Sequence, residues 1–419
     1  MQLLNVGNDI DDFCAQRIKE GFHLEYKADF SDRLKRVICA FANTWGGTIL
    51  IGVGEDEEGR PKAPVKGIPF KKGLDTRVTS IIVDNIYPPV FCDKYVVTFN
   101  RNGTDRAVVV IQVPQSDMTP HALNDREDVY IRTDDRNKLE RRANIERIEW
   151  LLDRRRKSAE LKQRIYLDAT DRLETIYKRP HLWWDKEKDA PHSPKFALAT
   201  FSAVPSFPYI LDTSVDVISN LCRSKSLCSY DYHGVVHGDF PELYSQKITQ
   251  ESVIDYHYTE RGNGLRYCEF SMYGLFLYQE PLLWHTQQGG VSTGIISCLH
   301  VIGRLDQFLE VARKFYDEIN VWGLIDLRLK IDNIFGNTIS LHDDWSFDEG
   351  RISHQPDLDV KRSVYKDELK TKRVDILKGI IQEFCFTFNT KVTDNAVETY
   401  LKRYGRLDIF EGNTDSSRA

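Results

Sequence analysis

The sequence predicts two α+β domains joined by a charged helix. Its 419 residues exceed the size of one ordinary hydrophobic core. Helical periodicity and β-type alternation occur in both halves of the chain, and a long charged stretch without proline or glycine separates them. Hydrophobic residues make up 41% of the chain, enough for packed interiors. The predicted parts are a domain over 1–137, a helical connector over 138–180 and a domain over 186–412.

The first domain shows the order helix, strand, helix and then strands, which is typical of a compact α+β unit. In RLKRVICAFANT the apolar residues recur at helical spacing, and Gly46-Gly47 ends that helix before the buried run TILIGV. An Asn-Gly pair joins two later strands. The predicted helices are 33–44 and 74–86, and the predicted strands are 48–53, 93–99, 106–114 and 128–133.

The second domain combines strands with two long helices. LIDLRLKI alternates strictly between apolar and polar residues, as a half-buried strand does, and two neighbouring apolar runs suggest a hairpin. Val374, Leu377, Ile381 and Phe384 mark one helix. The predicted strands are 195–202, 265–270, 273–279 and 324–331, and the other predicted helix is 295–319.

Charge and cysteine usage limit the classes of function. The formal net charge is −6, so no global positive field attracts nucleic acid, and such binding requires a local basic patch. The eight cysteines form no C-x-x-C pair and are interpreted as buried free thiols in a reducing compartment. The first residues lack the pattern of a signal peptide, and no apolar run is long enough to span a membrane. We therefore expect a cytoplasmic protein without membrane contact.

One string of motifs in the first third of the chain carries the chemistry: EGFHLEYK with Glu20 and Glu25, FANTWGGTILIGV (41–53), Glu55, VPQSDMTPHAL (113–123) and VYIRTDDRN (129–137). This string resembles the Schlafen-type AlbA domain. The resemblance covers about 20–153 and is most specific in AFANTWGGTILIGV. The family has been labelled both DNA-binding and divergent ATP-binding.

The resemblance implies a metal-dependent ribonuclease, because Schlafen ribonucleases of this family cut transfer and ribosomal RNA with three acids that hold a metal ion. Glu20 and Glu25 match the first two acids, and Lys27 is retained after Tyr26, which replaces a phenylalanine. Glu55 stands at the third position, where the family usually has an aspartate, and Asp56 is a potential stand-in. The implied cofactor is Mg²⁺ or Mn²⁺.

The residue types support this chemistry without the family. In a strand LEYK, Glu25 and Lys27 project from the same face. Carboxylates bind hard divalent cations, which activate water and offset the charge of a scissile phosphate, while Lys27 steadies the transition state. The competing interpretation is an exposed Glu25–Lys27 ion pair beside a solvated acidic turn.

Several basic residues are candidates for contact with a nucleic-acid backbone. Residues 150–164 contain six basic and two acidic side chains, a local excess that suits phosphate contacts. For any single member of this run, a solvated helix face is the competing interpretation. The candidates are Arg132, which matches a family arginine, with Arg136, Lys138, Arg154, Arg155, Arg156 and Lys157.

The sequence leaves a second function open: a noncatalytic nucleic-acid-binding regulator or sensor. ATP binding is disfavoured because no phosphate-binding glycine loop is present. RNA is favoured over DNA, and antiviral defence is a context suggested by analogy alone. We also expect a homo-oligomer formed through the connector or the second domain. In that domain Cys222, Cys228, His233 and His237 have a spacing that fits zinc poorly.

Overall fold

A computed structural model describes most of the chain in two units, Met1–Leu161 and Lys162–Ala419. The boundary falls within one long helix, so each unit is presented by itself. The described residues are 10–101, 103–124, 127–133, 139–177, 197–206, 208, 213–228, 240–258, 265–288, 291–321, 323–341, 351–391 and 397.

The N-terminal unit is built on a five-stranded sheet. Strand β1 runs parallel to β2 and places Glu25 opposite Ile49, and β6 pairs antiparallel with β2, β3 and β5. Two short ribbons, β4–β7 and β8–β9, complete the unit. Its elements are α1 (Ile10–Ala15), β1 (Leu24–Lys27), α2 (Leu34–Asn43), β2 (Gly47–Ile51), β3 (Ile68–Pro69), α3 (Leu74–Asn85), β4 (Ile86–Tyr87), β5 (Asp93–Arg101), β6 (Thr104–Val113), β7 (Ala122–Leu123), β8 (Tyr130–Arg132), β9 (Glu140–Arg142) and α4 (Ile145–Tyr177).

Both faces of this sheet are covered, which explains why its central strands are continuous apolar runs. On one face Ile49 and Ile51 of β2 pack with α2 and α3. On the other face Leu50 packs with Tyr26 and with Phe13 of α1. All five residues of β2 are therefore buried. Because β1 lies at the edge of the sheet, its polar side chains can reach the site described below.

The Asn43–Gly47 segment locks α2 onto the sheet. The amide group of Asn43 donates to the carbonyls of His121 (2.8 Å) and Tyr130 (2.9 Å), and its Oδ1 accepts the His121 N–H. Gly46 ends the helix with a φ of 73°, the left-handed conformation that glycine adopts without strain. A Cβ on Gly47 would lie 2.5 Å from the Phe41 ring. The residue types of this motif are therefore explained by packing.

The C-terminal unit contains a seven-stranded sheet in the order β11-β12-β13-β14-β10-β17-β19 and a three-stranded sheet β15-β16-β18. Helices α5, α6 and α8 share one hydrophobic core with the larger sheet. Its elements are β10 (Leu198–Pro205), α5 (Val215–Arg223), β11 (Lys247–Ile248), β12 (Ser252–Tyr258), β13 (Leu265–Ser271), β14 (Phe276–Pro281), β15 (Leu283–Gln288), β16 (Val291–Ser297), α6 (Cys298–Glu318), β17 (Leu324–Asp332), β18 (Thr338–Ser340), β19 (Leu358–Tyr365), α7 (Glu368–Thr371) and α8 (Arg373–Thr387).

The part of α4 that belongs to this unit contacts polar side chains of the larger sheet. Arg172 forms an ion pair with Glu269, whose side chain is fully buried, and the Tyr177 hydroxyl donates to Gln279 over 2.9 Å. Lys162 pairs with Asp326. These contacts explain how a helix of low apolar content remains attached to a sheet.

The α+β fold class is confirmed, and the predicted helices and strands of both domains have counterparts that differ by a few residues at their ends. The predicted connector over 138–180 is partly wrong, because β9 (Glu140–Arg142) lies within it and α4 begins only at Ile145. The predicted hairpin is formed by β13 and β14, which pair antiparallel. All eight cysteines are free, and only Cys92 is partly exposed. Within the described ranges no helix combines the length and the apolar character that a membrane span requires.

Replacing Gly47 by alanine is expected to lower the free energy of unfolding by about 1–3 kcal/mol, because the new Cβ must displace the Phe41 ring. Urea unfolding of the full chain measures this change. Gly21→Ala is the matched control, since a Cβ there meets no heavy atom within 4 Å. Equal stability of the two variants would contradict the packing role assigned to Gly47.

Candidate functional site

The site is organised around Arg132, a guanidinium with no exposed surface. It forms ion pairs with Glu25 at 2.5 Å and with Glu140 at 2.9 Å. It also donates to the carbonyls of Gly21 (2.8 and 3.0 Å) and Leu24 (3.3 Å). Burial of a charged group requires this degree of pairing. Arg132 therefore joins β8 to β1 and to the loop before it.

Glu25 and Lys27 project from one face of β1, as the alternation predicted, and form an ion pair. Burial lowers the pKa of Lys27, but the charge and hydrogen bond of Glu25 outweigh it, so the pKa lies above its ordinary value. One carboxylate oxygen of Glu25 accepts from Lys27 and the other from Arg132. Both oxygens of this acid are therefore engaged by cations.

Glu20 meets Glu55 because their two segments are joined through the backbone. The Glu20 N–H donates to the Gly59 carbonyl over 2.8 Å, which places the loop before β1 against the turn that follows β2. One Glu20 oxygen accepts the Tyr26 N–H at 2.5 Å. Burial, a hydrogen bond with Glu55 and the charge of Glu25 raise the pKa of Glu20 to about 9. The raised pKa favours the protonated form of Glu20 at neutral pH.

Asp56, the potential stand-in for the third acid, is committed to the turn. Its Oδ1 accepts the backbone N–H groups of Glu58 (3.0 Å) and Arg60 (2.9 Å), and its Oδ2 pairs with Arg17 at 3.0 Å. These bonds shape the turn that carries Glu55. Asp56 therefore stabilises the turn that carries Glu55, and both of its carboxylate oxygens already have partners.

One cleft of about 1540 Å³ is lined by Glu20, Glu25, Lys27, Glu55 and Asp56. The acids lie on the loop before β1, on β1, on the turn after β2 and on β9. Basic side chains come from the first turn of α2, from β1, from β9 and from the segment that precedes β1. The acidic lining residues are Glu20, Glu25, Glu55, Asp56, Glu57, Glu58 and Glu140, and the basic ones are Lys19, Lys27, Arg33, Arg36, Arg141 and Arg142.

The predicted three-acid metal group is not assembled in this arrangement. In the part of the chain that the structure describes, no three His, Cys, Asp or Glu side chains form a group that could hold a metal ion. Glu25 differs from the other two acids because both of its oxygens are bonded to cations. Glu20 and Glu55 remain a pair of oxygen donors, which suits Mg²⁺, since proteins often hold it with one or two carboxylates.

The predicted nucleic-acid contacts fall into different environments. The prediction that Arg132 contacts a nucleic-acid backbone is wrong, because its buried guanidinium cannot reach a phosphate in solvent. Arg154 is a second correction: its guanidinium donates to the Ser116 carbonyl at 2.5 Å and to the carbonyls at the end of α2. Arg156 and Lys157 pair with Asp153 on the same helix, and Arg155 is exposed. Arg136 and Lys138 lie outside the described residues.

The arginines of the cleft were not predicted from the sequence as site residues. Arg33 and Arg36 lie three residues apart, where α2 begins, and the buried Nε of Arg36 has no hydrogen-bond partner in the described structure. Arg141 and Arg142 are exposed on β9. The helical spacing of Arg33 and Arg36 was visible in the sequence, but their position in the same cleft as the acids depends on the tertiary fold. The candidate zinc pattern gains no support, because His233 and His237 lie outside the described residues.

Comparison with known proteins identifies the N-terminal domain. Residues 20–140 match the family model described as Schlafen, AlbA_2, so the predicted recognition of this domain is confirmed. A solution NMR structure of the N-terminal domain of a RecG-related protein from Nitrosomonas europaea is similar, with 18% identity and a TM-score of 0.23. That match covers 27% of this chain and 79% of the other. No curated protein sequence matches the chain.

Removal of the Arg132 charge is expected to destabilise the N-terminal unit by about 3–5 kcal/mol, because Glu25 then stays buried with a lost partner. Arg132→Gln is the variant, and urea unfolding is the measurement. Arg155→Gln is the control and is expected to change stability by less than about 0.5 kcal/mol. Wild-type stability of Arg132→Gln would refute the structural role.

The raised pKa of Glu20 predicts a pH-dependent stability. Between the ordinary carboxyl value and about 9, the folded state binds a proton that the unfolded chain has released, so stability falls as pH rises. Glu20→Gln removes this dependence. Its melting temperature is expected to exceed that of the wild type increasingly toward pH 9, by about 2–4 °C for each kcal/mol. Glu57→Gln, an exposed acid of the same cleft, is expected to keep the wild-type profile.

Proposed function

We propose that the N-terminal domain is a divalent-metal-dependent endoribonuclease whose active site is the cleft around Glu20 and Glu55. The observation that carries this proposal is that Glu20 and Glu55, on two segments joined through the backbone, line the same open cleft as Lys27. Two neighbouring carboxyl groups offer oxygen donors to a divalent cation, and binding of the cation would displace the proton of Glu20. The same cleft provides cations for a phosphate chain.

Glu20 and Glu55 would hold Mg²⁺ or Mn²⁺. When bound, the ion supplies activation of water and compensation of negative charge on the scissile phosphate. The ammonium group of Lys27 lies in the same cleft, where it would stabilise negative charge on a phosphate oxygen. Glu25 is assigned a positioning role, because it pairs with both Lys27 and Arg132 and so fixes the ammonium group. The proposal thus keeps the predicted residues but changes the role of Glu25.

The arginines of the cleft are assigned to contact with the backbone of the substrate. Arg33 and Arg141 are exposed, and Arg36 carries a buried N–H donor without a hydrogen-bond partner among the described residues. Guanidinium groups bind phosphate oxygens with two parallel hydrogen bonds. These contacts position a chain without reading its sequence.

The family match supports a nucleic-acid-related function, since Schlafen-type domains include ribonucleases. RNA is preferred to DNA on this resemblance alone. Antiviral defence and a homo-oligomer formed through α4 or the C-terminal unit remain proposals on the same footing.

A noncatalytic nucleic-acid-binding module is the second candidate. The observation that favours it is the saturation of Glu25, which removes one of the three predicted metal ligands. Such a module would bind RNA through the arginines without a divalent cation. Substitution of an acid would then tighten binding, because a negative charge would be removed from the cleft.

The decisive experiment incubates the full chain with total transfer RNA in Mn²⁺ or in EDTA. Glu20→Gln and Glu55→Gln are expected to reduce cleavage at least about a hundredfold, a loss typical of essential catalytic groups. Glu57→Gln is the matched control and is expected to cut at the wild-type rate. Binding of intact RNA in EDTA, with no cleavage in Mn²⁺ and tighter binding by Glu55→Gln, would replace the nuclease by the binding module.

A further inference from the structure

Trp45 and Trp150 form an exposed aromatic pair on the N-terminal unit. Their ring centroids lie 6.3 Å apart with planes inclined by 60°, and the two residues are 47% and 38% exposed. Neither residue belongs to a hydrophobic core of this unit. Tryptophan is costly to expose, so such a pair in a soluble domain marks a binding surface more often than a packing requirement.

The backbone and one ring of this pair are held in place. The Trp45 segment is fixed because the Thr44 hydroxyl donates to Ala40 (2.6 Å) and the Gly46 N–H donates to Phe41 (2.9 Å). The guanidinium of Arg154 lies 5.0 Å from the centre of the Trp150 ring. A rigid platform loses little conformational entropy when it binds a flat ligand.

The pair adjoins the cleft through short connections. The Thr44 hydroxyl, next to Trp45, accepts the Arg132 N–H at 2.8 Å. The Gly46 carbonyl, on the other side of Trp45, contacts His23 at 3.2 Å. His23 lies two residues from Gly21, which lines the cleft. A nucleic acid whose phosphates contact the cleft arginines would reach these rings if it continued past Gly21 and His23.

We propose that Trp45 and Trp150 stack on unpaired nucleobases of the substrate, an inference that rests on the proposed nucleic-acid function of the cleft. Stacking requires a free base face, which paired and stacked bases of a duplex do not offer. The chemistry of the pair, two indole rings beside cations, matches that of single-strand binding platforms. The substrate class is RNA with an unpaired segment beside the phosphates held in the cleft.

The test compares two RNA probes by fluorescence anisotropy: a labelled oligouridine of about a dozen nucleotides, within the range of single-strand sites, and a duplex of equal length. The proteins are full chains that carry Glu20→Gln and Glu55→Gln, so that no probe is cut. Trp45→Ala and Trp150→Ala are each expected to weaken oligouridine binding by about fivefold to a hundredfold. Duplex binding is expected to change less than about twofold. Trp45→Phe, which keeps a ring, should restore most of the affinity.

Phe70→Ala is the matched control, because Phe70 is also 47% exposed on the same unit. Equal losses for both probes, or wild-type oligouridine binding by both alanine variants, would overturn the stacking role. A changed oligomeric state of the tryptophan variants without loss of RNA affinity would overturn it in favour of a protein interface.

The outcome is separable from that of the nuclease assay. If the unmodified chain fails to cut RNA but the tryptophan variants selectively lose oligouridine binding, the stacking platform stands and the nuclease falls. If the chain cuts RNA and the tryptophan variants bind oligouridine as well as the wild type, the nuclease stands and the platform falls.

Discussion

The ion pair between Arg132 and Glu25 is the interaction on which the site depends. A guanidinium without exposed surface must be surrounded by acceptors, and here two acids and two backbone carbonyls provide them. Those acceptors belong to β1, β9 and the loop before β1. Because these acceptors are bonded to Arg132, the position of the edge strand β1 is fixed. The positions of Lys27 and of the loop that carries Glu20 are fixed with it. Arg132, which the sequence predicts to contact nucleic acid, thus determines the geometry of the cleft from its buried position beside β1.

This arrangement also separates the three acids electrostatically. Glu25 is compensated by two cations, whereas Glu20 is half-buried beside two other carboxyl groups. A proton on Glu20 removes the electrostatic repulsion that three adjacent carboxylates would experience. One acid is therefore structural, and the other two retain oxygen donors for a ligand. A motif comparison treats the three positions as equivalent, but their surroundings make them different.

The sequence predicted what depends on local periodicity and chain reversal. The helical spacing of α2, the Gly46-Gly47 stop and the alternation that joins Glu25 to Lys27 are all local patterns. It did not predict that Arg132 is buried, because its partner Glu25 lies 107 residues away. The arginines of the cleft were not predicted for the same reason, since Arg33 at the start of α2 and Arg141 on β9 come together only in the folded domain. Local pattern thus located the acids, and tertiary packing assigned their roles.

The two signs of charge in the cleft constrain any function that involves a phosphate chain. Arginines attract the backbone, but the acids that line the same cleft repel it unless their charge is compensated. A proton on Glu20 provides partial compensation, and a divalent cation would provide more. Backbone binding and cation binding therefore favour each other, as linked equilibria at one site must. For a nuclease this coupling is useful, because a phosphate enters the acidic part of the cleft most readily when the ion is present. For a simple binding module the acids would only reduce affinity, and their presence beside Lys27 is the physical argument for chemistry over binding alone.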